Sequence, residues 1–156
     1  MLEDKLRSLL DSLDRVWQQV LEVIEDEESK ASAYTRLALK APHGEEKYKL
    51  VLVAIDTILH REVMWAVLRA LEESKQLIRE AIRTKPEALE AGLVEAHETL
   101  EKLAEASYQE LASLAPEETT LKRLLEMLAS EEKKHDRLVG EIVALIRRHQ
   151  ASQESH

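Results

Sequence analysis

The sequence contains no cysteine and no phenylalanine, and only three prolines and three glycines among its 156 residues. The missing cysteine excludes a disulfide framework, a zinc ribbon, an iron–sulfur cluster and a thiol nucleophile. Three scattered glycines exclude a glycine-rich phosphate loop. A basic surplus is also missing: 22 Lys and Arg stand against 31 Asp and Glu, for a formal net charge of -9. That balance argues against a nucleic-acid partner, which calls for a basic face. No run approaches the ~18 apolar residues of a membrane span. The opening MLEDKLRSLL is charged and amphipathic, without the apolar core of a signal peptide. The expectation is a soluble, cytoplasmic protein with no membrane or nucleic-acid partner.

What is present is helix-forming. Between Pro42, Pro86 and Pro116 the chain is rich in Ala, Leu, Glu, Lys and Arg, with no sustained period-two alternation. Proline is tolerated in loops and first turns but breaks a helix interior. Ala41-Pro42-His43-Gly44 reads as a loop. Thr84-Lys85-Pro86-Glu87 reads as a capping box, with Thr84 as N-cap and Glu87 at N3. Ala115-Pro116-Glu117-Glu118 opens a fourth segment with carboxylates at the positive helix end. These signals predict helices near 2–40, 45–83, 86–114 and 117–149. Short connections make successive helices antiparallel neighbours. The expected fold class is all-α: an antiparallel up-down-up-down four-helix bundle over 1–150, with a disordered tail at 151–156.

The two halves resemble each other. A shift of 74 residues places Ala115-Pro116 on Ala41-Pro42, Leu111-Ala112 on Leu37-Ala38, Tyr108 on Tyr34 and Glu101 on Glu27. One further residue of shift places His135 on His60. The bundle is therefore read as two similar helical hairpins.

Polar residues interrupt the apolar stripes at one level. Glu27 follows Ile24 on the first helix, and Asp56 and His60 lie between Leu52 and Val63 on the second. His97 and Glu101 share a face with Leu93, Leu100 and Tyr108 on the third. Glu132 and His135 fill the interval between Leu128 and Val139 on the fourth. Counted from Pro42 or Pro116, these positions all lie 14 to 19 residues from their turn, which puts them in one layer. Lone buried carboxylates take up protons, so four in one layer call for cations. Oxygen and imidazole donors in such a layer suit iron, manganese or zinc.

At these residues the sequence resembles the ferritin-like di-metal carboxylate superfamily, and most closely its rubrerythrin-related branch. LEMLASEEKKHDRLV carries Glu132 and His135 as a Glu-x-x-His pair. EESKASAYTRLALKA carries Glu27 with Tyr34 seven residues on, and EKLAEASYQELASLA carries Glu101 and Tyr108 in the same relation. The resemblance implies two divalent transition metals, iron foremost with manganese or zinc as alternatives. Their implied ligands are Glu27, Asp56, His60, Glu101, Glu132 and His135, with Tyr34, His97 and Tyr108 around them. It implies an oxidase or peroxidase acting on dioxygen or peroxide with an external electron donor. The alternatives are iron handling or storage, and a helical interaction protein with a degenerate metal site. The second helix departs from the family pattern: three residues before His60 stands Thr57, where a glutamate is expected, and Asp56 is the nearest carboxylate. The cysteine-ligated rubredoxin-like module of the longer relatives is missing.

Two further expectations concern packing. Gly92 and Gly140, in mid-helix, suggest close helix contacts. Val51, Ile58 and Trp65 form an apolar strip opposite the inferred core of the second helix, which points to a homodimer through that strip.

Overall fold

The computed structural model describes residues 1–85, 87–117 and 119–154, all in helices or short connections, with no strand among them. The helices are α1 (Leu2–Lys40), α2 (Glu45–Arg83), α3 (Ala91–Leu114) and α4 (Thr120–Glu154). They fall into two compact units, Met1–Lys85 and Pro86–His156. Each unit is a helical hairpin.

In the first unit, α1 and α2 are each 39 residues, about 58 Å long at 1.5 Å per residue. α1 stops where expected. Ala41 precedes Pro42 and is forced out of helical conformation, to φ -60 and ψ 144, while its N–H still closes the last turn on Leu37. Gly44 then starts α2 at φ 138, a backbone conformation that side chains with a Cβ rarely adopt. Glu28 meets Trp65, and Asp14, earlier in α1, meets Lys75, later in α2, so the second helix returns along the first. Val20, Ile24, Ala31 and Ala38 of α1 and Ala54 and Ile78 of α2 form the buried seam.

The second unit repeats this scheme with a thinner seam of Ala112, Ala129 and Val143. Ala115, before Pro116, ends α3 in the same extended conformation as Ala41. Glu105 meets Lys133 and Glu95 meets Arg147, so α4 runs back along α3.

Four local expectations are corrected. Thr84 does not cap α3. It ends α2, donating its hydroxyl to the Glu80 carbonyl, and α3 begins only at Ala91; Pro86 lies outside the described residues. α4 begins after Thr119, three residues later than expected, and the Thr119 hydroxyl caps it by accepting the Lys122 N–H at 3.3 Å; Glu118 lies outside the described residues. The helix then runs four residues into the segment expected as a tail; Ser155 and His156 lie outside the described residues. Gly92 and Gly140 do not mark close contacts either, because a Cβ at each would meet nothing within 4 Å.

A two-helix hairpin has one seam, so the flanks of its apolar stripes stay uncovered by that seam. Val16, Val23, Leu93, Leu100, Leu111, Leu121 and Ile142 are exposed. Along α1, Val20, Ile24, Ala31 and Ala38 are buried, whereas Leu2, Leu9 and Val16 are exposed.

Candidate metal centre

α3 and α4 bring Glu101, Glu132 and His135 together. One donor atom from each residue lies within 4.8 Å of the others. His135 Nδ1 is 3.5 Å from Glu101 Oε2 and 3.5 Å from Glu132 Oε2. The local cause is helical phase. Three residues of α4 carry His135 nearly one turn past Glu132, onto the same side, and the antiparallel return sets Glu101 opposite both.

The electrostatics are strained in the way a cation would relieve. Glu132 stands close enough to Glu101 to share a proton, and this pushes the Glu101 carboxyl above the usual carboxylate range. Partial burial and repulsion from Glu132 act the same way, and His135 pulls in the opposite direction. The two carboxylates are half-buried, with His135 at the exposed side of the group.

The first hairpin holds an incomplete counterpart. Glu27 Oε2 lies 3.8 Å from His60 Nδ1, the same Glu–His contact that Glu101 and His135 make. The Glu27 side chain is only 14% exposed, and its Oε2 is buried without a hydrogen-bond partner, while Oε1 meets Lys30 at 3.4 Å. Where the second hairpin has Glu132, the first has Thr57, buried and donating its hydroxyl to the Ala54 carbonyl. Asp56 is half-buried one turn before His60. The correspondence of the two halves, 74 residues at Glu27 and Glu101 and 75 at His60 and His135, therefore extends from sequence to a shared side-chain contact, with one carboxylate replaced.

His97 is exposed on α3. Tyr34 and Tyr108 are half-buried, and neither hydroxyl bonds a carboxylate among the described residues.

The stripe reading missed a buried cation. Lys75 is 5% exposed, the most enclosed charged residue described. Its ammonium meets Asp14 at 2.9 Å and Glu72 at 3.1 Å, and lies 4.7 Å from the centre of the Trp17 ring. The Asp14 hydrogen bond raises its pKa and burial opposes this, with Glu72 adding to the rise. The signal was legible: Leu71, Lys75 and Ile78 keep the four-three spacing of the seam. Asp136, beside His135, was also missed; its Oδ1 is buried without a hydrogen-bond partner.

The chain matches no protein-family model, no curated protein and no solved structure. The functional reading therefore rests on the residues themselves.

Proposed function

We propose that this protein binds a divalent transition metal, with Glu101, Glu132 and His135 as its ligands. The observation that carries the reading is the convergence of two carboxylates and an imidazole from two helices onto one point. Two carboxylates and one nitrogen suit iron, manganese or zinc. A cation there would also offset the close approach of Glu132 that raises the Glu101 pKa.

The finer architecture proposed with it is an antiparallel four-helix bundle of ferritin-like type. In it, both hairpins turn their Glu–His flank to a common layer, and Glu27, Asp56 and His60 add donors. The orphaned Glu27 Oε2 and the exposed leucines flanking each seam favour that closure. Thr57 favours unequal sites: its hydroxyl is committed to the backbone, so the first hairpin contributes the weaker half. A redox-active metal held there would supply electron transfer to peroxide or dioxygen, replenished by an external donor. The chain's own part is to hold the two carboxylates and the imidazole within reach of one ion.

Titration of metal-free protein with Mn(II), Zn(II) and anaerobic Fe(II) tests this. At a hundredfold over the dissociation constant, metal should stabilise the fold by ~2.7 kcal/mol. Glu132→Gln and His135→Ala should each remove that shift. Wild-type protein that shows no shift with any of the three metals overturns the reading. Variants Glu27→Gln and His60→Ala weaken binding if the hairpins close on a shared layer, and leave it unchanged if the site belongs to the second hairpin alone. Metal-loaded protein that fails to consume peroxide with a reductant leaves binding in place and makes the role metal handling rather than catalysis.

A further inference from the structure

The ferritin-like resemblance implies two metals, yet the hairpins differ in what surrounds their matching Glu–His contacts. Under the 74-residue shift that places Glu27 on Glu101, Lys30 falls on Ala104. Under the 75-residue shift that places His60 on His135, Thr57 falls on Glu132 and Arg61 on Asp136. All three differences run the same way: each makes the first hairpin more positive beside a contact that the second keeps acidic.

The side chains follow the sequence. In the first hairpin the Lys30 ammonium lies 3.4 Å from Glu27 Oε1, nearly one turn along α1, while Glu27 Oε2 faces His60. Thr57 gives its hydroxyl to the Ala54 carbonyl and offers no anionic donor. The Arg61 guanidinium turns to Glu62 at 2.7 Å. Asp56 does not take the part of Glu132. Its counterpart is Glu131, which is exposed and meets Lys134 at 3.3 Å, and among the described residues Glu27, Asp56 and His60 form no three-donor group. In the second hairpin Ala104 brings no charge to Glu101, and the nearby Lys133 and Lys134 go to Glu105 and Glu131. Asp136 adds a buried carboxylate oxygen with no hydrogen-bond partner.

Taking the second hairpin as the metal site, we propose that the chain holds one metal rather than two, and that Lys30 supplies the cation of the first hairpin. Two physical effects act together. A transition-metal site is built on roughly three or more protein donors, and beside Glu27 the first hairpin brings one imidazole where the second brings an imidazole and a further carboxylate. The ammonium also repels a divalent ion placed on the same carboxylate, and it does so more strongly where burial lowers the local dielectric, as at the mostly buried Glu27. Lys30 balances Glu27 without coordination, so the first Glu–His contact persists with no metal of its own. Lys30 and Thr57 thereby set the number of metals, and the duplicated hairpins divide into one that needs an external cation and one that carries its own.

Equilibrium dialysis against Mn(II) or Zn(II), with metal read by elemental analysis, tests it. Wild-type protein should take up about one metal per chain. The double substitution Lys30→Ala plus Thr57→Glu gives the first hairpin the donor set of the second, and should raise the uptake to about two. Wild type with two metals overturns the proposal, and so does a folded double variant that still takes one. Adding Glu132→Gln to the double variant separates this outcome from the second site. If wild type takes no metal, the metal reading of the second hairpin fails. The triple variant then still decides the part of Lys30 and Thr57: gain of a metal supports it and no gain overturns it. Thr57 is buried, so a further variant keeps the test decisive if Thr57→Glu misfolds. Ala104→Lys, at a half-buried position, carries the ammonium into the second hairpin with all three ligands intact. It should weaken metal binding by about tenfold or more, whereas the uncharged Ala104→Gln should not. Equal affinities of these two variants overturn the proposal.

Discussion

Replacing Lys75 separates what its stem contributes to the first hairpin from what its charge contributes. The side chain is 7% exposed, whereas its partners Asp14 and Glu72 are 48% and 58% exposed. Lys75→Ala deletes three buried methylenes, about 2.4 kcal/mol at ~0.8 kcal/mol each. It also removes the cation over Trp17, worth ~0.5–2 kcal/mol. The two carboxylates can rehydrate, so no charge is left stranded, and relief of the ammonium's desolvation offsets part of the lost ion pairing. The net expectation is about 3 kcal/mol of destabilisation for Ala. Lys75→Met retains the stem, loses the charge and should cost ~0–1 kcal/mol. Both tryptophans lie in the first unit, so urea unfolding followed by tryptophan fluorescence reads this hairpin selectively. A Met variant as unstable as the Ala variant would show that charge, not packing, holds the site. An Ala variant within ~1 kcal/mol of wild type would contradict the burial itself. The pH dependence has a definite sign. A lysine pKa raised by folding contributes stability below the ordinary lysine range and loses it as pH rises through the raised value. That alkaline loss should vanish in Lys75→Met.

Two further outcomes follow from the second hairpin. Glu101 is an acid whose pKa folding raises, so the metal-free chain gains stability as pH falls through that value and loses it as pH rises. Metal must displace the same proton, so affinity should drop with falling pH across that range. Glu132→Gln, which removes the main cause, should shift the pH dependence of the metal-free chain's thermal stability to lower pH. Gly140 sits in the middle of α4 with open space where a Cβ would go, so Gly140→Ala should stabilise that helix by ~0.5–1 kcal/mol in thermal unfolding. A destabilised alanine variant would mean that position 140 is covered by a close neighbour after all.

The hairpin scheme was legible because proline and helix propensity act locally. Pro42 and Pro116 each force the preceding alanine out of the helix, and no tertiary contact is needed for that. The start of α3 was misread for the same local reason: Thr84 suits either helix end, and its hydroxyl went to the carbonyl of Glu80 behind it rather than to an N–H ahead. At the site, helical phase was enough to find Glu101, Glu132 and His135, since their convergence follows from spacing on two antiparallel helices. His97 has the right phase too, yet it is exposed, because phase fixes a direction and not what covers it. Lys75 was overlooked because a charged residue on a seam reads as an interruption until its carboxylate partners, 61 and three residues away in sequence, are seen around it.

Calorimetric titration of metal-free protein with Mn(II) and Zn(II), run beside Glu132→Gln and His135→Ala, tests the metal centre most directly. The expected result is saturable binding with proton release, at about one tight site per chain, lost in both variants. Heat that does not saturate, or binding that survives both substitutions, would contradict a metal centre built from Glu101, Glu132 and His135.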